Sequence, residues 1–425
     1  MYRWVLFAAA IAVAHGADEQ QIALVARAES AFDRVQLSAA PEVRDAGACI
    51  QAEAALLPIA PAEDQSQVYF RKGYCTLAEA SVTHSAAGFL SAAADFDRAM
   101  GAWSARATRN RPLEPMPPAL LILAAIARLE AAPSEEATDL ASNQIRAALA
   151  NASCPSNLMS MSFCQGILGT GREWLGWFAL VRNNLEEAAA RFSESGSAGW
   201  IAWVSGRKAF SLNDFHEAAR QYRRAIPLLD PETPTSLAAR LGPPADHAAQ
   251  LTDLGGAELL AGEPSALTTL DAAVKAEPSA RAIYLRGRAK EAAHQAEAAL
   301  ADYNLASRTA FAHSQGLASG EGHLYRGILL YRRRDYLQAE DEFSSALNFD
   351  IPSDLRADAS AWRHLAAVAA GSCEASRPAL EKSMAAASPY FPREEARSAV
   401  ARCLSAVTGS QISPGPGSGP GLPRP

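Results

Sequence analysis

Runs of alternating β-branched residues are nearly absent from this 425-residue chain, which excludes a β-rich fold and leaves an all-α reading. Also missing is any long apolar run beyond the first residues, so no integral membrane segment is expected after the N-terminal stretch. The formal charge of -7, with arginines scattered among acids, supplies no broad cationic field. Nucleic acid is therefore not an expected partner. His84, His216, His247, His294, His313, His323 and His364 lack paired metal-ligand spacing. Gly169, Thr170 and Gly171 lack the preceding strand and the lysine of a phosphate loop. No nucleophile, base and orienting group stand at a recognisable spacing, so neither catalysis nor a cofactor is expected.

What is present begins with Met1, Tyr2 and Arg3, an apolar stretch from Trp4 to Ala14, then His15, Gly16 and Ala17 before polar Asp18. Such a stretch covers roughly 16 Å as a helix, about half of a bilayer's hydrocarbon. It reads as a secretory signal peptide, residues 1–16, with cleavage after Gly16. An uncleaved anchor is the alternative. No cysteine suited to lipid attachment follows, and a periplasmic or secreted product is expected.

The six cysteines all lie in the mature part, as an even set does when oxidised outside the cytoplasm. Cys49 and Cys75 are equidistant from the turn near Pro61 and Ala62, so an antiparallel hairpin would oppose them. Cys373 and Cys403 are symmetric about Ser388. Cys154 and Cys164 would close a small loop. Cross-helix bridges need α-carbons within about 7 Å, and each can add about 3 kcal/mol. Buried free thiols are the alternative.

Apolar residues at spacings of three and four predict helices over 18–37, 41–57, 66–80, 86–105, 119–131 and on to Ala150, then 355–370, 375–387 and 393–407. The expected organisation is an N-terminal helical region 17–108 with a degenerate repeat, a Pro-rich linker 109–118, a repeat array 119–352, a helical cap 353–408 and a disordered Pro/Gly-rich tail 409–425. Pro231, Pro234, Pro243 and Pro244 mark a short insertion.

One interval pattern recurs. Gly176 is followed by Ala188 and Phe192; Gly206 by Ala218, Tyr222 and Ala225; Gly287 by Ala299, Tyr303 and Ala306; Gly327 by Ala339, Phe343 and Ala346. Small residues let two helices approach closely, and a ring fills the space beside them. Turn signals Asn183-Asn184, Asn213-Asp214 and Arg334-Asp335 fall between the helices. A weaker copy has Gly256, Ala266, Leu270 and Ala273, and Gly73 with Ala92, Phe96 and Ala99 keeps the second-helix spacing across a longer linker.

This pattern resembles the tetratricopeptide-repeat family, with Trp174, Leu175 and Gly176 fitting its start and Asp230-Pro231 and Glu277-Pro278 its end. The likeness is good over residues 170–352. The tryptophan expected four residues before the glycine is replaced by Arg172, Ala202, Ile283 and His323, and a generic helical bundle is the alternative. The resemblance implies an all-α, right-handed superhelix of stacked antiparallel hairpins whose first helices line a concave face. Positions three before, one after and four after each glycine would line it: Glu173, Trp177 and Leu180; Trp203, Arg207 and Phe210; Tyr284, Arg288 and Glu291; Leu324, Ile328 and Tyr331. Aromatic rings and arginines there would suit a protein or peptide segment with apolar anchors and a carboxylate. The opposite expectation is that Trp177, Trp203 and Phe210 are buried beneath inserted segments or the cap. Arg332, Arg333 and Arg334 oppose the negative end of a helix dipole, and Asn151, Ala152 and Ser153 form a glycosylation acceptor in form only. The functional expectation is an exported scaffold in an envelope or extracellular assembly. An envelope hydrolase or its regulatory subunit, and a structural spacer, are the alternatives.

Overall fold

The structure is a computed structural model that describes residues 19–37, 42–62, 64–105, 116–150, 154, 160–229, 241–313, 319–349, 351 and 353–410. The signal segment 1–16, most of the 109–118 linker, the insertion as far as residue 240, the 151–153 acceptor and the tail from 411 lie outside the described residues.

Among the described residues every regular element is an α-helix. These are α1 (Glu19–Leu37), α2 (Val43–Leu56), α3 (Gln65–Thr83), α4 (Ala86–Ala105), α5 (Pro118–Ala131), α6 (Glu135–Ala150), α7 (Met161–Val181), α8 (Leu185–Ser195), α9 (Ala198–Ser211), α10 (Phe215–Leu229), α11 (His247–Ala261), α12 (Ala266–Ala276), α13 (Ala280–Ala292), α14 (Ala296–His313), α15 (Gly320–Arg332), α16 (Tyr336–Asn348), α17 (Ser353–Ala369), α18 (Cys373–Ala386) and α19 (Arg393–Ser410). Two compact units result, Met1–Lys208 with Arg224–Ala245, and Ala209–Arg223 with Asp246–Pro425.

In the first unit each helix from α1 to α8 packs on the next, and α1 also touches α3 as α5 touches α7. The core holds Phe70, Tyr74, Phe96, Trp174 and Phe178. Leu241, at the end of the insertion, joins that core and its carbonyl accepts a 2.7 Å hydrogen bond from the Trp174 indole. In the second unit α11 to α19 pack in the same consecutive manner, with contacts between alternate helices α11 and α13, α15 and α17, α17 and α19. Its core is built on Tyr303, Tyr325, Phe343 and Trp362.

The close approach expected from the sequence is visible atom by atom. A β-carbon added at Gly176 would lie 2.8 Å from the Phe192 ring, at Gly287 2.8 Å from Tyr303, and at Gly327 2.6 Å from Phe343. Gly73 has the same relation to Phe96 at 3.1 Å, so α3 and α4 form a repeat-like hairpin. The weaker copy needs a correction of one residue. Gly255, not Gly256, faces Leu270 at 2.6 Å, because the helix places Gly256 on another face, against the Tyr390 hydroxyl.

Seven hairpins turn on a left-handed residue: His84, Asn183, Asn213, Gly262, His294, Arg334 and Gly371 all have positive φ. The following amide donates to the carbonyl five residues earlier, as Ser85 does to Ala80, Asn184 to Ala179, Asp214 to Ala209, Glu263 to Glu258, Gln295 to Lys290, Asp335 to Leu330 and Ser372 to Ala367. This closes the first helix by satisfying a carbonyl that would otherwise lack a partner. In the α3–α4 hairpin His84 comes four residues later than its counterparts and Phe96 a further three, one added turn on each helix. Turns added in units of four and three keep the facing side chains in register.

All three disulfides join the pairs expected, Cys49–Cys75, Cys154–Cys164 and Cys373–Cys403, with α-carbons 6.1, 5.8 and 5.9 Å apart. No helix among the described residues is long and apolar enough to cross a membrane.

Gly327→Ala forces a methyl against Phe343 and is expected to cost about 1–3 kcal/mol. Gly166→Ala, where a β-carbon meets nothing within 4 Å, should instead stabilise by about 0.5–1 kcal/mol. Urea denaturation of the two variants beside the parent decides, and equal shifts would contradict the packing.

Candidate binding face and buried charges

Glycine-relative positions on the first helices fare differently in the two units. In the first, Glu173, Trp177 and Leu180 on α7 are partly exposed, and so is Arg207 on α9, whereas Trp203 is buried. Trp177 stands edge-on to Trp174 and Phe178 at 5.6 and 5.8 Å. Burial pushes the Glu173 carboxyl above the usual range, a hydrogen bond with Ser197 partly offsetting it.

In the second unit Tyr284, Leu324, Ile328 and Tyr331 are buried, while Phe210, Arg288 and Glu291 are partly exposed and make contacts within the chain. Leu324, Ile328 and Tyr331 lie in the core, and Tyr284 stacks 5.1 Å from Tyr325. Arg288 donates to the Tyr284 hydroxyl at 3.2 Å and to the main-chain carbonyl of Tyr390. Phe210 lies 5.9 Å from the Tyr390 ring. Glu291 accepts from the Tyr303 hydroxyl at 2.8 Å and pairs with Arg332 at 3.0 Å. The arginine at the helix end, read from the sequence as a dipole partner, thus has a further task. Arg332 spans Glu291 and both oxygens of Glu395 at 2.7 Å, its guanidinium 5.4 Å over Trp362. Of the residues expected beneath covering segments, Trp203 is buried, Phe210 lies against the cap segment at Tyr390 yet stays partly exposed, and Trp177 is partly exposed.

Sequence reasoning missed a recurring ion pair beside the glycine-ring contact. The residue before the glycine is basic and the residue before the ring is acidic in three hairpins: Lys72–Asp95 at 2.5 Å, Arg286–Asp302 at 2.8 Å and Arg326–Glu342 at 2.6 Å. Asp95 is wholly buried and also takes Arg98 at 2.8 Å. Asp302 receives Arg286 through both oxygens, at 2.8 and 2.9 Å, with Lys290 at 2.8 Å. Buried acids of this kind hold two helices together only while paired, because an unpaired carboxylate inside protein is costly. The signal was in the sequence, one position ahead of each half of the glycine-ring pair.

Glu53 on α2 is the exception. Its carboxylate is fully buried, neither oxygen accepts a hydrogen bond, and Arg71 on α3 stands 3.8 Å away with Glu29 on α1 in the same field. Burial is the largest influence and pushes the carboxyl up to about 7, against the pull of Arg71. Among the described residues no group of three or more His, Cys, Asp and Glu could hold a metal ion.

No family model matches the chain and no curated protein matches it. Among solved structures, yeast Tom70 is similar at 13% identity and a TM-score of 0.35 over 97% of this chain and 93% of that one. The Cut9-Hcn1 hetero-tetramer of the APC/C is similar at 12% identity and a TM-score of 0.28, covering 93% and 92%. Superpositions at this level add no weight to the internal spacing, contacts and turns. The hairpins are tetratricopeptide-like. Hairpin after hairpin, a small residue on the first helix meets a ring or leucine on the second, and a left-handed residue closes the turn.

Glu53 gives a pH signature. Between pH 4.5 and about 7 the unfolded chain has released this proton while the folded chain keeps it, so stability falls as pH rises and levels off above. The loss amounts to about 2–3 kcal/mol. Glu53→Gln should remove that slope. Denaturation midpoints at pH 4.5 and 8 measure it, and a slope unchanged by the substitution would contradict the assignment.

Proposed function

We propose that this protein is an exported helical-repeat scaffold that captures a protein or peptide segment in an envelope or extracellular assembly. The observation that carries the binding reading is the partly exposed set in the first unit, Glu173, Trp177, Leu180 and Arg207, at glycine-relative positions whose counterparts in the second are buried or engaged by the chain itself. Trp177 offers an apolar anchor and Arg207 a cation suited to a carboxylate. The signal-like N-terminus and the bonded even set of cysteines support export. On this reading the ion pairs and buried acids serve packing and the protein has no turnover.

Trp177→Ala with Arg207→Ala is expected to abolish crosslinking to the partner in intact cells while leaving the helical circular dichroism unchanged. Undiminished crosslinking would remove this face from consideration. Mass spectrometry of the mature product should find Ala17 at the N-terminus, and a retained Met1 would end the cleaved-signal reading.

A further inference from the structure

The cover over the second unit is a discrete structure. Between α18 and α19 the chain folds into a turn in which the Phe391 amide donates to the Ser388 carbonyl at 3.1 Å, with Pro389 at the second position. Proline there presets the backbone for such a turn. Arg393 folds back on it, donating to the Ala387 and Ser388 carbonyls at 2.6 and 2.8 Å. Local bonds thus shape the turn, and Asp358 on α17 anchors it to the repeats by accepting from the Ser388 amide and hydroxyl, both at 2.6 Å.

Its contacts with the repeats have the form of recognition. Arg288 reads a main-chain carbonyl, that of Tyr390. The Tyr390 ring lies against Phe210, and Gly256 leaves room for its hydroxyl. Phe391 stands edge-on to Trp362 at 5.4 Å, and Arg332 takes the Glu395 carboxylate. A carbonyl, two rings and a carboxylate are groups that a separate peptide can supply. Ser388 stands fifteen residues from each of Cys373 and Cys403, so the bridge staples α18 to α19 whether or not the turn is docked.

We propose that this face of the second unit binds a proline turn bearing two adjacent aromatic residues and a carboxylate four residues further on, and that the segment Ser388–Glu395 is its resident occupant. The proposal rests on the reading that the repeats capture peptide segments. A tethered occupant competes at an effective concentration in the millimolar range, so a partner in trans binds when the turn is displaced.

The test is fluorescence polarisation with a labelled synthetic peptide of residues 385–398, added to the full-length oxidised protein. Tyr390→Ala, Phe391→Ala and Glu395→Ala together empty the face and should strengthen peptide binding at least tenfold over the parent. Adding Arg288→Ala should return it to the parental level. A peptide with alanine for both aromatics should bind neither protein. Should the triple variant fail to fold, Arg393→Ala removes the bonds that shape the resident turn and leaves the face itself unaltered, and should raise peptide binding severalfold.

A folded variant that binds no better than the parent would overturn the proposal, because the turn would then be ordinary core. A variant that dimerises and ignores the peptide would overturn it equally, since the occupant would be a second copy. The assay uses none of the first-unit residues, so failed crosslinking at Trp177 and Arg207 beside positive peptide binding separates the two readings.

Discussion

Contact between a glycine on one helix and a ring on the next is the constraint from which the hairpins follow. With no β-carbon at Gly176, Gly287 or Gly327, the partner ring lies where a side chain would have stood. Two helices so close bury their facing alanines, among them Ala188, Ala299 and Ala339, which would make little contact at ordinary spacing. Dense packing of small groups sums many weak attractions, and alanine brings them with little loss of side-chain entropy.

The left-handed turn supplies the other half of the geometry. Asn183, Asn213, His294 and Arg334 each stand seven residues beyond the repeat glycine, so the second helix starts at a fixed distance from the contact. Asparagine tolerates that backbone, and the sequence signalled the turn at Asn183, at Asn213 and at Arg334-Asp335; only His294 gave no such warning. The α3–α4 hairpin was harder to read for a simple reason. Its extra turn on each helix looked like a longer linker, yet four and three added residues return the same faces to each other.

Fold and site were legible to different degrees because they rest on interactions of different range. Helix positions, turns and the three disulfide pairs follow from periodicity and symmetry within a few dozen residues. Gly255 and Gly256 show the limit of such reading, since adjacent identical residues are assigned only by what faces them. The binding positions depend on distant chain. Tyr390 reaches Arg288 across 102 residues, and nothing local to α13 announces that its face is taken. The recurring ion pairs were readable in principle, because each basic residue precedes a glycine and each acid precedes a ring. They escape a search confined to apolar and small residues.

The repeat stands on the direct coupling of glycine and ring, and a double-mutant cycle between Gly327 and Phe343 measures that coupling most directly. Denaturation of Gly327→Ala, Phe343→Leu and the double variant should give a cost for the methyl that shrinks by about 1 kcal/mol or more once the ring is removed. Strict additivity of the two substitutions would contradict the contact and, with it, the repeat built upon it.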